Sequence, residues 1–82
     1  MITEVDETVS VGAVFEKGRA VFPRWFVWHG RKYTIQRVTF AWKVKEGILF
    51  NYHYSVTDGT NLFDLCYVPH TLDWKLMSVS PM

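Results

Sequence analysis

The sequence predicts an all-β domain, a small antiparallel barrel or strongly bent sheet of about six strands, with an SH3-like barrel favoured. Three observations support this fold class. Apolar residues recur at every second position in several segments, turn-forming residues separate these segments, and the period of a helix is nearly absent. Because 82 residues give room for one hydrophobic core, we expect a tail over residues 1–7 and a single domain over residues 8–80.

The individual strands follow from the alternation. The clearest one follows Gly47, where every second residue from Ile48 to Val56 is aromatic or β-branched. Short runs of turn-forming residues, such as the Asp58-Gly59 pair, end the strands. The predicted strands are Val9–Phe15, Phe22–His29, Lys32–Val44, Ile48–Thr57, Leu62–Val68 and Leu72–Val79.

The long third strand changes parity along its length. Tyr33 and Ile35 point to one face, whereas Phe40 and Trp42 fall in the opposite phase. A β-bulge near Gln36–Arg37 would bring all four side chains to one face. Trp42 is therefore expected in the core.

The second strand ends at a tight turn. Gly30 takes a positive φ at low cost, so His29-Gly30 or Gly30-Arg31 is the expected centre of a hairpin turn. Within this strand Trp28 is expected in the core, and Trp25 has the opposite parity. Trp25 is therefore a candidate for an exposed stacking surface, with burial at a dimer interface as the alternative.

A second architecture is an open meander. A single sheet of this size leaves one apolar face uncovered, and two copies could cover it by dimerising.

Charge is strongly segregated along the chain. Eight of the nine basic residues lie in a window of 29 residues, from Lys17 to Lys45, that contains no acid. The window carries a charge of +8, whereas the other 53 residues carry −7. A chain with a net charge of only +1 therefore has a basic segment suited to a polyanion, either nucleic acid or an acidic protein.

Aromatic residues are interleaved with these cations. Cations with aromatic side chains between them suit single-stranded nucleic acid, because the cations meet phosphates while the rings stack on bases. The alternative is that the basic strands pair internally with acids such as Glu16, Glu46 or Asp64. The candidate nucleic-acid-binding residues are Arg24, Trp25, Arg31, Lys32, Arg37, Lys43 and Lys45.

Catalytic and metal sites have little support in the sequence. The three histidines show no metal-ligand spacing, Cys66 is the single cysteine, and no glycine-rich phosphate loop is present. We expect no metal, no cofactor and no catalytic residue. An enzyme acting through Cys66 or His53 is the weakest of the three function classes.

The chain start carries acids instead of a basic segment followed by an apolar one, so no export signal is expected. No apolar run is long enough for a membrane span. With one cysteine, no intramolecular disulfide can form. These features favour a cytoplasmic protein without a membrane partner.

The segment from Pro23 to Val38, followed by Trp42, resembles a small bacterial domain family of unknown function, whose core reads roughly P-x-x-F-x-W-x-G-R-x-Y-x-V-x-x-V-x-x-x-W. A similar segment forms a tail on some actinobacterial relatives of Y-family DNA polymerases. The resemblance implies a non-catalytic accessory role in DNA transactions. Those tails tend to carry arginine where this chain has His29, which weakens the case for a phosphate contact there.

The sequence thus predicts a non-enzymatic β-barrel module that contacts single-stranded nucleic acid or another polyanion. The alternative is a protein-interaction module, expected to be a homodimer, that uses exposed aromatic residues around Trp25.

Overall fold

The computed structural model describes residues 1–15, 17 and 21–82. Seven strands in these residues form one antiparallel sheet, which confirms the all-β prediction. No helix in the described residues is long and apolar enough to cross a membrane. The strands are β1 (Thr3–Val14), β2 (Phe22–Trp28), β3 (Arg31–Thr34), β4 (Arg37–Glu46), β5 (Leu49–Thr57), β6 (Asn61–Val68) and β7 (Asp73–Pro81).

The strand order across the sheet is β3-β2-β1-β7-β6-β5-β4. β1 is shared between two neighbours, because its residues from Thr3 to Val9 pair with β7 and those from Ser10 to Val14 pair with β2. The strand begins at Thr3, so it includes much of the segment from residue 1 to 7 that the sequence assigns to a tail.

The sheet has seven strands instead of six because the long third strand is divided in two. Ile35 and Gln36 separate β3 from β4, next to the predicted bulge. The N–H of Ile35 donates to the carbonyl of Arg24 in β2 at 2.9 Å, whereas the N–H of Gln36 donates to the carbonyl of Thr57 in β5 at 2.8 Å. These two residues therefore carry the chain from one edge of the sheet to the opposite edge.

β3 and β4 are the two edge strands of the sheet. Within the described residues they do not pair with each other, so no hydrogen-bonded ladder closes the sheet into a barrel. The barrel and SH3-like parts of the fold prediction therefore stay predictions.

The core is rich in aromatic side chains, as expected for a domain that buries little surface. Phe26 of β2 stacks on Tyr33 of β3, with ring centroids 4.9 Å apart, and meets Phe63 of β6 edge-on at 5.0 Å. The sheet therefore curves enough to bring β2 against β6. The buried cluster is Phe26, Tyr54, Val56, Phe63, Leu65, Tyr67, Trp74 and Leu76.

The two predicted core tryptophans differ. Trp28 is partly buried and packs against the core cluster, although its indole Nε1 is buried without a hydrogen-bond partner. Trp42 does not pack against this cluster, so the prediction that Trp42 lies in the core is wrong. A second irregularity at Thr39 shifts the register between Val38 and Phe40. Val38 packs against the core, and Ala41, not Trp42, lies opposite the buried Tyr54.

The turn between β2 and β3 is the predicted one. His29 and Gly30 are its two central residues, with φ angles of 52° and 75°. Positive φ at both central positions is typical of the type I′ turn, whose twist matches that of the flanking strands. The turn places Arg31 opposite Trp28 at the start of β3.

Candidate nucleic-acid interface

The structure places all six candidate cations on exposed positions of three strands. Arg24 lies on β2, where it is the extra residue at a register shift between β1 and β2. The others lie on the edge strands, namely Arg31 and Lys32 on β3 and Arg37, Lys43 and Lys45 on β4. Ile35 and Gln36 connect these two strands, so the basic residues follow one continuous stretch of chain.

The predicted internal pairing with Glu46 or Asp64 does not occur. Glu46 accepts a hydrogen bond from the Asn51 amide at 3.3 Å, and the carboxylate of Asp64 lies 3.2 Å from Nδ1 of His53. Glu16, the third proposed acid, lies outside the described residues. Among residues 1–15, 17 and 21–82, no lysine or arginine lies within 4.0 Å of a carboxylate oxygen.

Three of the unpaired cations lie over aromatic rings instead. The Lys32 ammonium is 5.1 Å from the centroid of the Trp25 ring, and the Arg31 guanidinium is 5.1 Å from that of Tyr33. Such contacts contribute about 0.5 to 1 kcal/mol at exposed sites, which holds the cations near the rings without neutralising them. The third contact joins Lys43 to the ring of Phe50 at 5.2 Å.

Trp25 is partly exposed, at 36% of its full surface. Its indole lies against Gly12 of β1, where a Cβ atom would overlap the ring. Lys32 occupies a position over the same ring. Trp25 therefore offers a stacking surface whose access depends on the Lys32 side chain.

The structure reveals a second aromatic surface that the parity argument missed. Phe40 stacks on Trp42, with centroids 5.5 Å apart and planes 28° from parallel, and Trp42 stacks on His53 at 5.1 Å and 15°. We call these three residues the outer ladder, because they lie on the face of β4 and β5 away from the core. Phe40 is 64% exposed. To predict this ladder from the sequence, one would have to know that Trp42 pairs with His53 across the two strands.

A shallow depression of about 380 Å³ lies along the core-facing side of the β4–β5 pair, where Ala41, Tyr52 and Tyr54 line it. The other lining residues are Phe22, Trp42, Lys43 and His53. The volume falls within the range of about 300 to 1,000 Å³ typical of small-molecule sites.

The histidines do not form a metal site in the described residues, where no group of three or more His, Cys, Asp and Glu side chains could hold an ion. His29 Nε2 contacts Oε1 of Glu7 at 3.1 Å on the surface, and His53 contacts Asp64. His70 is exposed after Pro69.

Cys66 is opposite His53 in the sheet but is poorly suited to act as a nucleophile. Its side chain is buried, and burial together with the negative charge of Asp64 raises the pKa of the thiol to about 11. At neutral pH the thiol is therefore protonated, and the protonated form is a weak nucleophile.

No family model matches the chain, and neither a curated protein nor a solved structure is significantly similar to it.

Proposed function

We propose that this chain is a non-enzymatic binding module that contacts single-stranded nucleic acid, or another polyanion, through its basic aromatic strands. The single observation that carries the proposal is the state of the six candidate cations. All are exposed, none has a carboxylate within 4.0 Å among the described residues, and three lie over aromatic rings. Unneutralised cations beside rings match the phosphates and bases of an unpaired strand.

The curved sheet supports the barrel part of the proposal. The backbone N–H groups of Ile35 and Gln36 donate hydrogen bonds to β2 and β5, which lie near opposite edges of the sheet. The ring of Phe26 in β2 also contacts that of Phe63 in β6. A sheet curled in this way is typical of small barrels of the SH3-like kind. It would present β3 and β4 as neighbouring segments of one basic surface.

Cations on edge strands have another physical role, because they oppose the addition of a further strand to the sheet. That role requires no ligand. Binding measurements separate the two accounts, since edge protection alone gives no affinity for an oligonucleotide.

The experiment that tests the proposal is fluorescence anisotropy of a labelled single-stranded oligonucleotide with the purified protein at several salt concentrations. We expect binding that weakens steeply with salt, because bound cations release counterions from the phosphates. No detectable binding at about 50 mM salt would reject nucleic acid as the ligand.

The second candidate function is a protein-interaction module, expected to be a homodimer. The observation that favours it is the exposure of large apolar side chains near the β4–β5 turn, where Ile48 is 90% exposed and Leu49 and Phe50 are each 42% exposed. Large exposed apolar patches often mark protein interfaces. Sedimentation of the purified protein distinguishes a monomer from a dimer directly.

A further inference from the structure

We propose that the outer ladder of Phe40, Trp42 and His53 is the main base-stacking surface of this domain, with Phe40 receiving an unpaired nucleobase on its open side. This inference rests on the proposed function and names the part of the surface that binds the base. The occupant is single-stranded nucleic acid. A second copy of the chain is the competing occupant, which the experiment must exclude.

The geometry of the three rings suits a stacked base. The ring planes of Phe40 and Trp42 are 28° from parallel, and those of Trp42 and His53 are 15° from parallel, so the three rings form one continuous stack. A base can extend such a stack because every base has a π-face. Phe40 is 64% exposed, whereas Trp25 is only 36% exposed and already has Lys32 over its ring.

Charge differs between the two ends of the ladder. Its His53 end contacts the carboxylate of Asp64, which repels phosphate. Its Phe40 end lies on β4, whose cations have no carboxylate partner in the described residues. The polyanion is therefore expected to approach from the Phe40 end.

β4 is an edge strand, so its free side is open to a ligand. Trp42 is opposite His53 while Lys43 is opposite Tyr52, so the ladder and the lysine project from alternate faces of the strand. A polynucleotide that runs along an edge strand can reach both faces. A base would stack on Phe40 while the flanking phosphates meet Arg37 on one side of the ladder and Lys43 on the other.

Self-pairing of β4 is the less favourable arrangement. The strand has a register irregularity at Thr39 and carries Arg37, Lys43 and Lys45, and both bulges and lysines on edges oppose pairing with another strand. These features favour a polyanion over a second copy.

The test uses a labelled oligothymidylate of about 12 nucleotides, within the range of about 4 to 16 that one small β-barrel domain occupies. Phe40→Ala should weaken binding by about 5- to 150-fold with no change in the salt dependence, because stacking releases no counterions. Phe15→Ala is the matched control, because Phe15 is 66% exposed but lies outside the ladder. It should leave the affinity unchanged.

Photocrosslinking locates the base independently. In an oligonucleotide carrying 5-iodouracil, the crosslink should fall in the tryptic peptide of residues 38–43, which contains Phe40 and Trp42. The peptide of residues 25–31 contains Trp25 and serves as the comparison. Crosslinks confined to that second peptide, with Phe40→Ala binding like the parent, would overturn the inference while leaving the proposed function intact.

Two other results count against the inference in different ways. If the parent protein binds no oligonucleotide, the proposed function and the inference fail together. If sedimentation also shows a dimer that Phe40→Ala converts to a monomer, the ladder belongs to an interface with a second copy. Because Phe40 is exposed and Phe40→Ala removes only its stack on Trp42, the variant should melt slightly below the parent and stay folded at the assay temperature, which confirms that a lost affinity is not a loss of fold.

Discussion

The indole of Trp25 lies directly on Gly12, across the pairing of β1 with β2. A glycine in a strand weakens it, and an aromatic side chain from the neighbouring strand can compensate by covering the exposed backbone. Here the absence of a Cβ atom allows the ring to approach the backbone. The pair therefore fixes Trp25 on the outer face of β2, close to Lys32.

The first prediction is that Gly12→Ala destabilises the domain by about 1 to 3 kcal/mol, because the added methyl group overlaps the ring and the ring must move. Urea denaturation measures the loss. Acrylamide quenching should also increase as Trp25 becomes more exposed. Ser10→Ala, at an exposed position of the same strand, is the control and should change neither quantity. Parental stability and quenching in Gly12→Ala would show that the indole does not rest there.

The second prediction compares Leu65 with Trp42. Leu65 is completely buried, so Leu65→Ala should cost about 2 to 5 kcal/mol through the cavity it leaves. Trp42→Ala should cost less, because Trp42 is half-buried outside the core and loses two ring stacks, each worth about 0.5 to 1.5 kcal/mol beyond the area it buries. Thermal melts of both variants test the ranking. An equal or larger loss of stability for Trp42→Ala would indicate that Trp42 is a core residue.

The alternation of residues predicted most of the fold. β5, β6 and β7 lie close to their predicted positions, and Trp74 and Leu76 are buried, because a half-buried strand shows its core face as a period of two. The turn at His29 and Gly30 was also predictable, since glycine marks positive φ.

The outward position of Trp42 was not predictable in the same way. The change of parity near Gln36 is visible in the sequence. Threonine is common in regular strands, however, so Thr39 gives no sign of the second register shift. One extra residue in a strand moves every later side chain to the opposite face of the sheet. Phe40 and Trp42 therefore lie on the face away from the core, where Phe40 is exposed and Trp42 is half-buried.

The exposure of the cations was predictable from their type, whereas their lack of acidic partners was not. Pairing depends on which strands are neighbours, and β3 and β4 lie at the two edges of the sheet. An edge strand has one neighbour, so fewer carboxylates are within reach.

The third prediction concerns Gly30, whose φ is 75°. Gly30→Val should cost about 1 to 3 kcal/mol, because a β-branched residue is strained at positive φ. No atom lies within 4 Å of a Cβ placed at this position, so steric overlap does not contribute. Gly30→Asn should therefore be much milder, since asparagine tolerates this conformation. Equal melting temperatures for the two variants would contradict a backbone origin for the loss.

The fourth prediction concerns stability at alkaline pH. The pKa of Cys66 is raised from 9.0 to about 11, mainly by burial, so between these values the unfolded chain loses a proton that the folded chain keeps. Stability from this thiol is thus complete below pH 9 and falls as the pH rises towards 11. Burial raises the pKa of Tyr54 as well, which adds loss in the same direction.

Urea denaturation between about pH 8 and 11 measures this dependence. Cys66→Ala should flatten the decline without abolishing it, because Tyr54 still contributes. The thiol of the folded parent should also react slowly with iodoacetamide at pH 8. Rapid alkylation of folded protein at that pH would show an accessible thiolate and reopen the case for catalysis at Cys66.

The fifth prediction tests the charge of β4. If about four to six cations meet phosphates of a single strand, log affinity should fall against log salt with a slope of about 3 to 4 in magnitude. Replacing both Arg37 and Lys43 by glutamate should weaken binding of every oligonucleotide alike and lower that slope by about 1.4, since each lost contact removes about 0.7. Anisotropy titrations at several salt concentrations measure both effects.

Two variants separate the contribution of local contacts from that of net charge. Lys75→Glu reverses the basic residue that lies outside the window, so it should change the slope little if contacts matter more than total charge. Trp25→Ala should weaken binding by less than Phe40→Ala does, with the slope nearly unchanged, because a stacked base releases no counterions. If Lys75→Glu lowers the slope as much per charge as the β4 variant does, the attraction comes from the charge of the whole domain, and the basic strands do not form a distinct interface.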